Sequence, residues 1–230
     1  MEKFLAWVQQ LRWDALWQTA LVVAASLLCI TFHETCHGLT AYWLGDPTAK
    51  NQGRLSLNPL RHIDLMGLVM MAVCHFGWAK PVPVDPRYFK NPKGGMALTA
   101  LAGPLANVLL AYLAVLGYAV CYYFYAVRAM DALLYPLLFF YYVELISAGL
   151  AVFNLFPIPP LDGSKVLFAV LPDAWYAKLM RYERYGMGLL AILLLTGALD
   201  TPLEFLRDGL TNALETAGAW PFELLMNLSA

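Results

Sequence analysis

The chain has 230 residues, of which 60% are hydrophobic and 13% charged, about half the charge that a soluble domain usually carries. That balance excludes a water-soluble globular domain and predicts an integral membrane protein. The net charge of −1 offers no basic surface for nucleic acid. Cys29, Cys36, Cys74 and Cys121 form no CxxC pair, so they read as packed thiols rather than disulfides or a zinc knuckle.

Residues 1–14 alternate apolar and charged side chains. Arg12 and Asp14 interrupt any signal-peptide core, and Trp7 and Trp13 suit the anchors of an interfacial amphipathic helix. Ala15 to Phe32 carries no charge. Continued to about Leu44, it is long enough to span a hydrocarbon core of about 30 Å. Gly45-Asp46-Pro47 ends it. The polar stretch to Asp64 contains Gln52 to Pro59, whose alternation predicts a short extended segment. Leu65 to Ala79 is uncharged but short and predicts a re-entrant or half-spanning piece. The prolines of Lys80-Pro-Val-Pro-Val-Asp-Pro86 exclude helix and predict an extended surface loop.

Gly94 to Val127 is a second span, and Ala132 to Phe156 a third; a turn at Arg128 and Asp131 joins them into an antiparallel hairpin. A short apolar run, Tyr185 to Leu199, predicts a fourth. From Pro202 an amphipathic tail follows. Tyr122 to Tyr125 read as an interfacial aromatic belt. Of fifteen Lys and Arg, seven fall in residues 45–96 and four in 157–184. The hairpin puts both loops on one side, which the positive-inside rule makes cytosolic.

Within the first span His33-Glu34-Thr35-Cys36-His37 reads H-E-x-x-H. Residues four apart share a helix face, so His33 and His37 can bind one metal ion, and Glu34 beside them can act as a general base toward a water on it. A catalytic zinc takes about three protein ligands and keeps one position open. The topology brings the cytosolic end of the third span to the same depth. There Asp162 follows Pro157, Pro159 and Pro160 and precedes Gly163. An Asp-Gly beside prolines also reads as a helix N-cap, but beside a co-located HExxH the ligand reading is preferred. Glu144 lies within the third span and is assigned no role; His62 reads as a surface or capping residue, His75 as packing, and Asn107 as a bond across helices or a substrate contact.

HETCH, GRLSLNP, FGWAKPVPV, AGPLAN and NLFPIPPLDG together resemble the site-2 protease family of intramembrane zinc metalloproteases, over about residues 16–170, and in particular its compact branch without PDZ or CBS domains. The resemblance implies an all-α polytopic membrane protein. A three-helix catalytic core would carry flanking helices and short extended or re-entrant segments near the site. It implies one zinc ion held by His33, His37 and Asp162, Glu34 as general base, and Asn154 as a polar residue near the substrate. Many relatives have a span before the HExxH helix; none is clear here. The chain is expected to form one membrane-embedded domain over 1–230, with an interfacial helix at 1–14, the catalytic core at 15–170 and C-terminal helices at 171–230. The expected activity is hydrolysis of peptide bonds in single-span membrane proteins, as in regulated intramembrane proteolysis, in the plasma membrane of a prokaryote and toward its cytosolic side. Two rivals are a membrane metalloprotease acting on peptides outside the bilayer, which would favour a Glu such as Glu144 as third ligand, and a non-catalytic adaptor with a structural metal, which would need a fourth ligand and no Glu34.

Overall fold

The computed structural model describes residues 13–64, 66–67 and 79–229. Trp7, Cys74, His75, most of the half-spanning piece over 65–79 and most of the interfacial helix expected over 1–14 lie outside the described residues. Among those described, the secondary structure is helical and no strand occurs. Helix α1 runs Trp13–Trp43, α2 Thr48–Asn51, α3 Pro92–Tyr122, α4 Leu134–Leu155, α5 Asp162–Val170, α6 Asp173–Leu195, α7 Asp200–Gly218 and α8 Trp220–Ser229.

Three helical segments are long and apolar enough to cross a membrane: Leu16–Trp43, Pro92–Val127 and Asp131–Leu155. They are the three spans expected from sequence. α1, α3 and α4 pack against one another, and α5 packs on α3. Their shared core is small-residue rich, with Ala25, Cys29, Ala114 and Val143 buried together; small side chains let helix backbones approach closely where lipid supplies no hydrophobic drive. Cys29, Cys36 and Cys121 are free thiols, as expected.

The helix ends follow local chemistry. α1 stops where Gly45 takes φ +107°, a left-handed conformation open to glycine. α3 starts at Pro92 behind Asn91, whose side chain accepts the Gly94 N–H at 3.1 Å. The prolines after α4 hold residues 157–161 out of helix, and α5 resumes at Asp162.

The structure refines four expectations. Residues 52–59 form coil that runs into a 3-10 turn at Pro59–Arg61, not a regular extended segment. His62 is 2% exposed and caps that turn, its ring bonded to the Ser56 carbonyl, so it is no surface residue. Tyr123, which opens a π-helical turn at Tyr123–Val127 continuing α3, is buried and meets Phe222 of α8, so part of the aromatic cluster packs against α8. The fourth apolar run ends at Leu195: Gly197, at φ +68°, turns the chain, and Tyr185–Leu195 and Asp200–Ser229 form a pair bent by 87°.

Candidate metal centre and its surroundings

His33 and His37 lie one turn apart on α1 and face α3 and α5. Asp162 opens α5, where a side-chain cap was the competing expectation. The helix has no side-chain cap, and Leu161 occupies the N-cap position. The Asp162 carboxylate turns toward the histidines instead. Gly163 makes this possible: a Cβ there would lie 2.1 Å from the Leu155 carbonyl oxygen. Only glycine allows α5 to start so close to the end of α4.

The three side chains converge. His33 Nε2 lies 2.9 Å from His37 Nε2, and Asp162 Oδ2 lies 3.2 Å from His33 Nε2 and 3.1 Å from His37 Nε2. All three residues are buried, and together they could hold a metal ion. A tetrahedral zinc with bonds of about 2.0–2.1 Å separates its ligand atoms by about 3.3 Å, so the donor types and the spacing both fit. Burial pushes the Asp162 carboxyl up. Hydrogen bonds from His33 and His37, with the charges of His37 and Lys165, outweigh it and hold the group well below the usual carboxylate range. Lys165 Nζ lies 3.7 Å from Asp162 Oδ1. Among the described residues no other group of three His, Cys, Asp or Glu is so arranged, and Glu144 is not part of it. Glu144 is buried within α4, and its Oε1 has no hydrogen-bond partner among the described residues.

Glu34, Asn154 and the three convergent residues line one cavity of about 330 Å³. Glu34 Oε2 accepts the N–H of Val82 at 2.8 Å. Val82 belongs to a strap, residues 80–85, drawn across the cavity. Arg54, 8% exposed, donates to the Lys80 carbonyl at 2.6 Å and the Pro81 carbonyl at 3.2 Å. The buried Asp46 accepts the Asp85 N–H at 2.7 Å. Lys80 N–H donates to the His62 carbonyl. Both segments expected to be extended meet α1 at Gly38, where a Cβ would lie 2.6 Å from Leu55 and 2.9 Å from Val82. Asn154 sits at the cavity wall, its Nδ2 bonded to the Leu150 carbonyl.

The structure therefore brings His33, Glu34, His37, Asp162 and Asn154 together as expected. It also shows site roles that the sequence did not assign. Arg54 and Asp46 anchor the strap. The Thr99 carbonyl accepts from His37 Nδ1, and Gly103 leaves both imidazoles the space that a Cβ would fill. The i, i+4 spacing of Thr99, Gly103 and Asn107 was the signal available for the last group.

A curated relative, "Putative zinc metalloprotease YwhC" of Bacillus subtilis, is 36% identical over 178 residues, covering 76% of this chain and 80% of its own length. The chain belongs to peptidase family M50. The M50 profile itself matches residues 128–196, which contain Asn154 and Asp162. "Putative zinc metalloprotease Rip2" of Mycolicibacterium smegmatis is 30% identical over 186 residues, covering 78% of this chain and 68% of its own. The Rip2 of Mycobacterium tuberculosis strain H37Rv is 29% identical over 187 residues. No solved structure matches the chain. Membership of M50, the site-2 protease family, makes this a membrane metalloprotease and implies a zinc cofactor.

Proposed function

We propose that this M50 protein is an intramembrane endopeptidase that hydrolyses peptide bonds of single-span membrane proteins, with one zinc held by His33, His37 and Asp162. The observation that carries this reading is the convergence of the three donor atoms beside Glu34, on the spanning helix α1 and the start of α5. When bound, zinc would supply a Lewis acid for the scissile carbonyl and lower the pKa of a water toward about 7.

The chain's own residues do the rest. Glu34 accepts the water's proton through its carboxylate and returns it to the leaving amine. One of its oxygens receives the Val82 N–H, which orients the group and leaves the other oxygen to accept. Asn154, at the cavity wall, has an amide suited to hold a substrate carbonyl. A substrate helix hides its peptide bonds in its own hydrogen bonds, so it must unwind before attack. The strap offers the unwound segment a partner. Val82 and Val84 line the cavity, and the Val84 N–H has no partner among the described residues. An extended substrate could pair there as an added strand. The whole chain reads as one membrane-embedded unit, and its charge bias supports a site near the cytosolic face of a prokaryotic plasma membrane. A purely structural metal is disfavoured, since such a site has no need of a carboxylate like Glu34 beside its ligands.

The test is the position of the cut. Purified protein reconstituted with single-span substrates in liposomes should release products whose new ends, read by mass spectrometry, fall within the apolar segment. Cuts confined to soluble loops or added peptides would favour a metalloprotease acting outside the bilayer.

A further inference from the structure

One face of α3 backs both candidate ligand histidines. Thr99, Gly103 and Asn107 are four residues apart and so share that face. α1 and α3 run antiparallel here, which sets His37 opposite Thr99 and His33 opposite Asn107. His37 Nδ1 lies 2.7 Å from the Thr99 carbonyl. A carbonyl only accepts, so Nδ1 carries a proton, and in the neutral ring the Nε2 lone pair is free. Gly103 permits the close approach: a Cβ there would lie 2.5 Å from the His37 ring and 2.6 Å from the His33 ring.

His33 meets no carbonyl in the equivalent place. Its Nδ1 lies 3.2 Å from the Asn107 amide. Asn107 is 0% exposed, and its Oδ1 has no partner among the described residues. With Nδ2 toward the ring, Nδ1 would have to accept, and the neutral imidazole would carry its proton on Nε2, the atom that faces His37 and Asp162. The two ends of a carboxamide fill nearly the same space, and the group turns over by a half rotation. Turned over, Oδ1 accepts from Nδ1–H, the buried oxygen gains its partner, and in the neutral ring Nε2 presents a free lone pair toward Asp162 and His37.

We infer that Asn107 is a positioning residue for His33: its side-chain oxygen takes the Nδ1 proton and fixes the ring and the tautomer that can bind metal through Nε2, as the Thr99 carbonyl does for His37. The inference rests on reading His33 and His37 as metal ligands. Removing such a partner of a ligand histidine typically weakens metal binding about 10–100-fold.

The experiment is zinc titration of the full chain, purified in detergent and stripped of metal, against a competing chelator, with folding checked by circular dichroism and gel filtration. Asn107→Leu keeps the volume but has no acceptor, and its zinc affinity should fall about 10–100-fold. Asn107→Asp presents an oxygen in either orientation and should bind zinc within about threefold of wild type. A residue that merely packs between helices would give the reverse, with leucine tolerated and a buried aspartate not. Wild-type affinity in the Leu variant, or a tenfold loss in the Asp variant, overturns the inference. If the Leu variant does not fold, the Asp variant decides alone. His33→Ala, run beside them, separates the two claims: undiminished zinc binding there would remove the ligand assignment, and the inference with it, whereas loss in His33→Ala with no loss in Asn107→Leu would overturn only the role of Asn107.

Discussion

Asp162 occupies a place where an unpaired carboxylate would be costly. Desolvating a charge is tolerated when it is paired and hydrogen-bonded, and here two imidazoles and Lys165 supply the pairing. Glu144 is another buried carboxylate, but it stands apart in α4. Asp162→Ala should therefore lose bound zinc, and Glu144→Gln should keep it at wild-type stoichiometry, both read by elemental analysis of the purified proteins. The reverse pattern would transfer the third ligand to α4. His33, Glu34 and His37 could be read from sequence because their chemistry depends on spacing within one helix turn. Asp162 was legible because prolines broke the helix before it. Thr99, Arg54 and Asp46 were not, since each takes its meaning from a partner far along the chain or across a loop, and each has ordinary surface or packing roles in a sequence.

The strap is the element through which substrate would meet the site. Its prolines forbid helix, which the sequence showed, but its tie-points are tertiary. Hydrogen bonds to a charged group contribute about 1.5–3 kcal/mol, and Arg54 makes two to adjacent strap carbonyls. Arg54→Ala should loosen residues 80–85. Amide exchange in that segment should accelerate by tenfold or more, and kcat/KM should fall about tenfold, mainly through KM. Unchanged exchange and KM would show that the strap holds its place without Arg54. Gly38 explains why both non-helical segments converge on α1. That close approach depends on the absence of a Cβ, and no property of the segments themselves announces it.

At the scale of the whole molecule, length and apolar composition defined three spans, and the hairpin of α3 and α4 fixed their order. The fourth apolar run was harder to place. It has only about 16 Å of helix between Tyr185 and Leu195, at 1.5 Å per residue, before Gly197 turns it. A left-handed glycine within an apolar stretch leaves no mark on hydropathy. The charge bias predicts the sidedness. Single cysteines introduced at Lys90 and Asp131, in a background lacking the native cysteines, should label from opposite faces of sealed vesicles, with position 90 on the cytosolic face. Labelling of both from one face would undo the shared depth assigned to α1 and α5.

On the proposed reading, Glu34 is the base of a zinc hydrolase whose metal it does not bind. The direct measurement is zinc content together with cleavage of a reconstituted single-span substrate, for wild type and Glu34→Gln. The amide keeps the shape but cannot take a proton, so the variant should retain its zinc while cleavage falls at least about 10²–10⁴-fold. Cleavage at the wild-type rate in a zinc-loaded Glu34→Gln protein would contradict it.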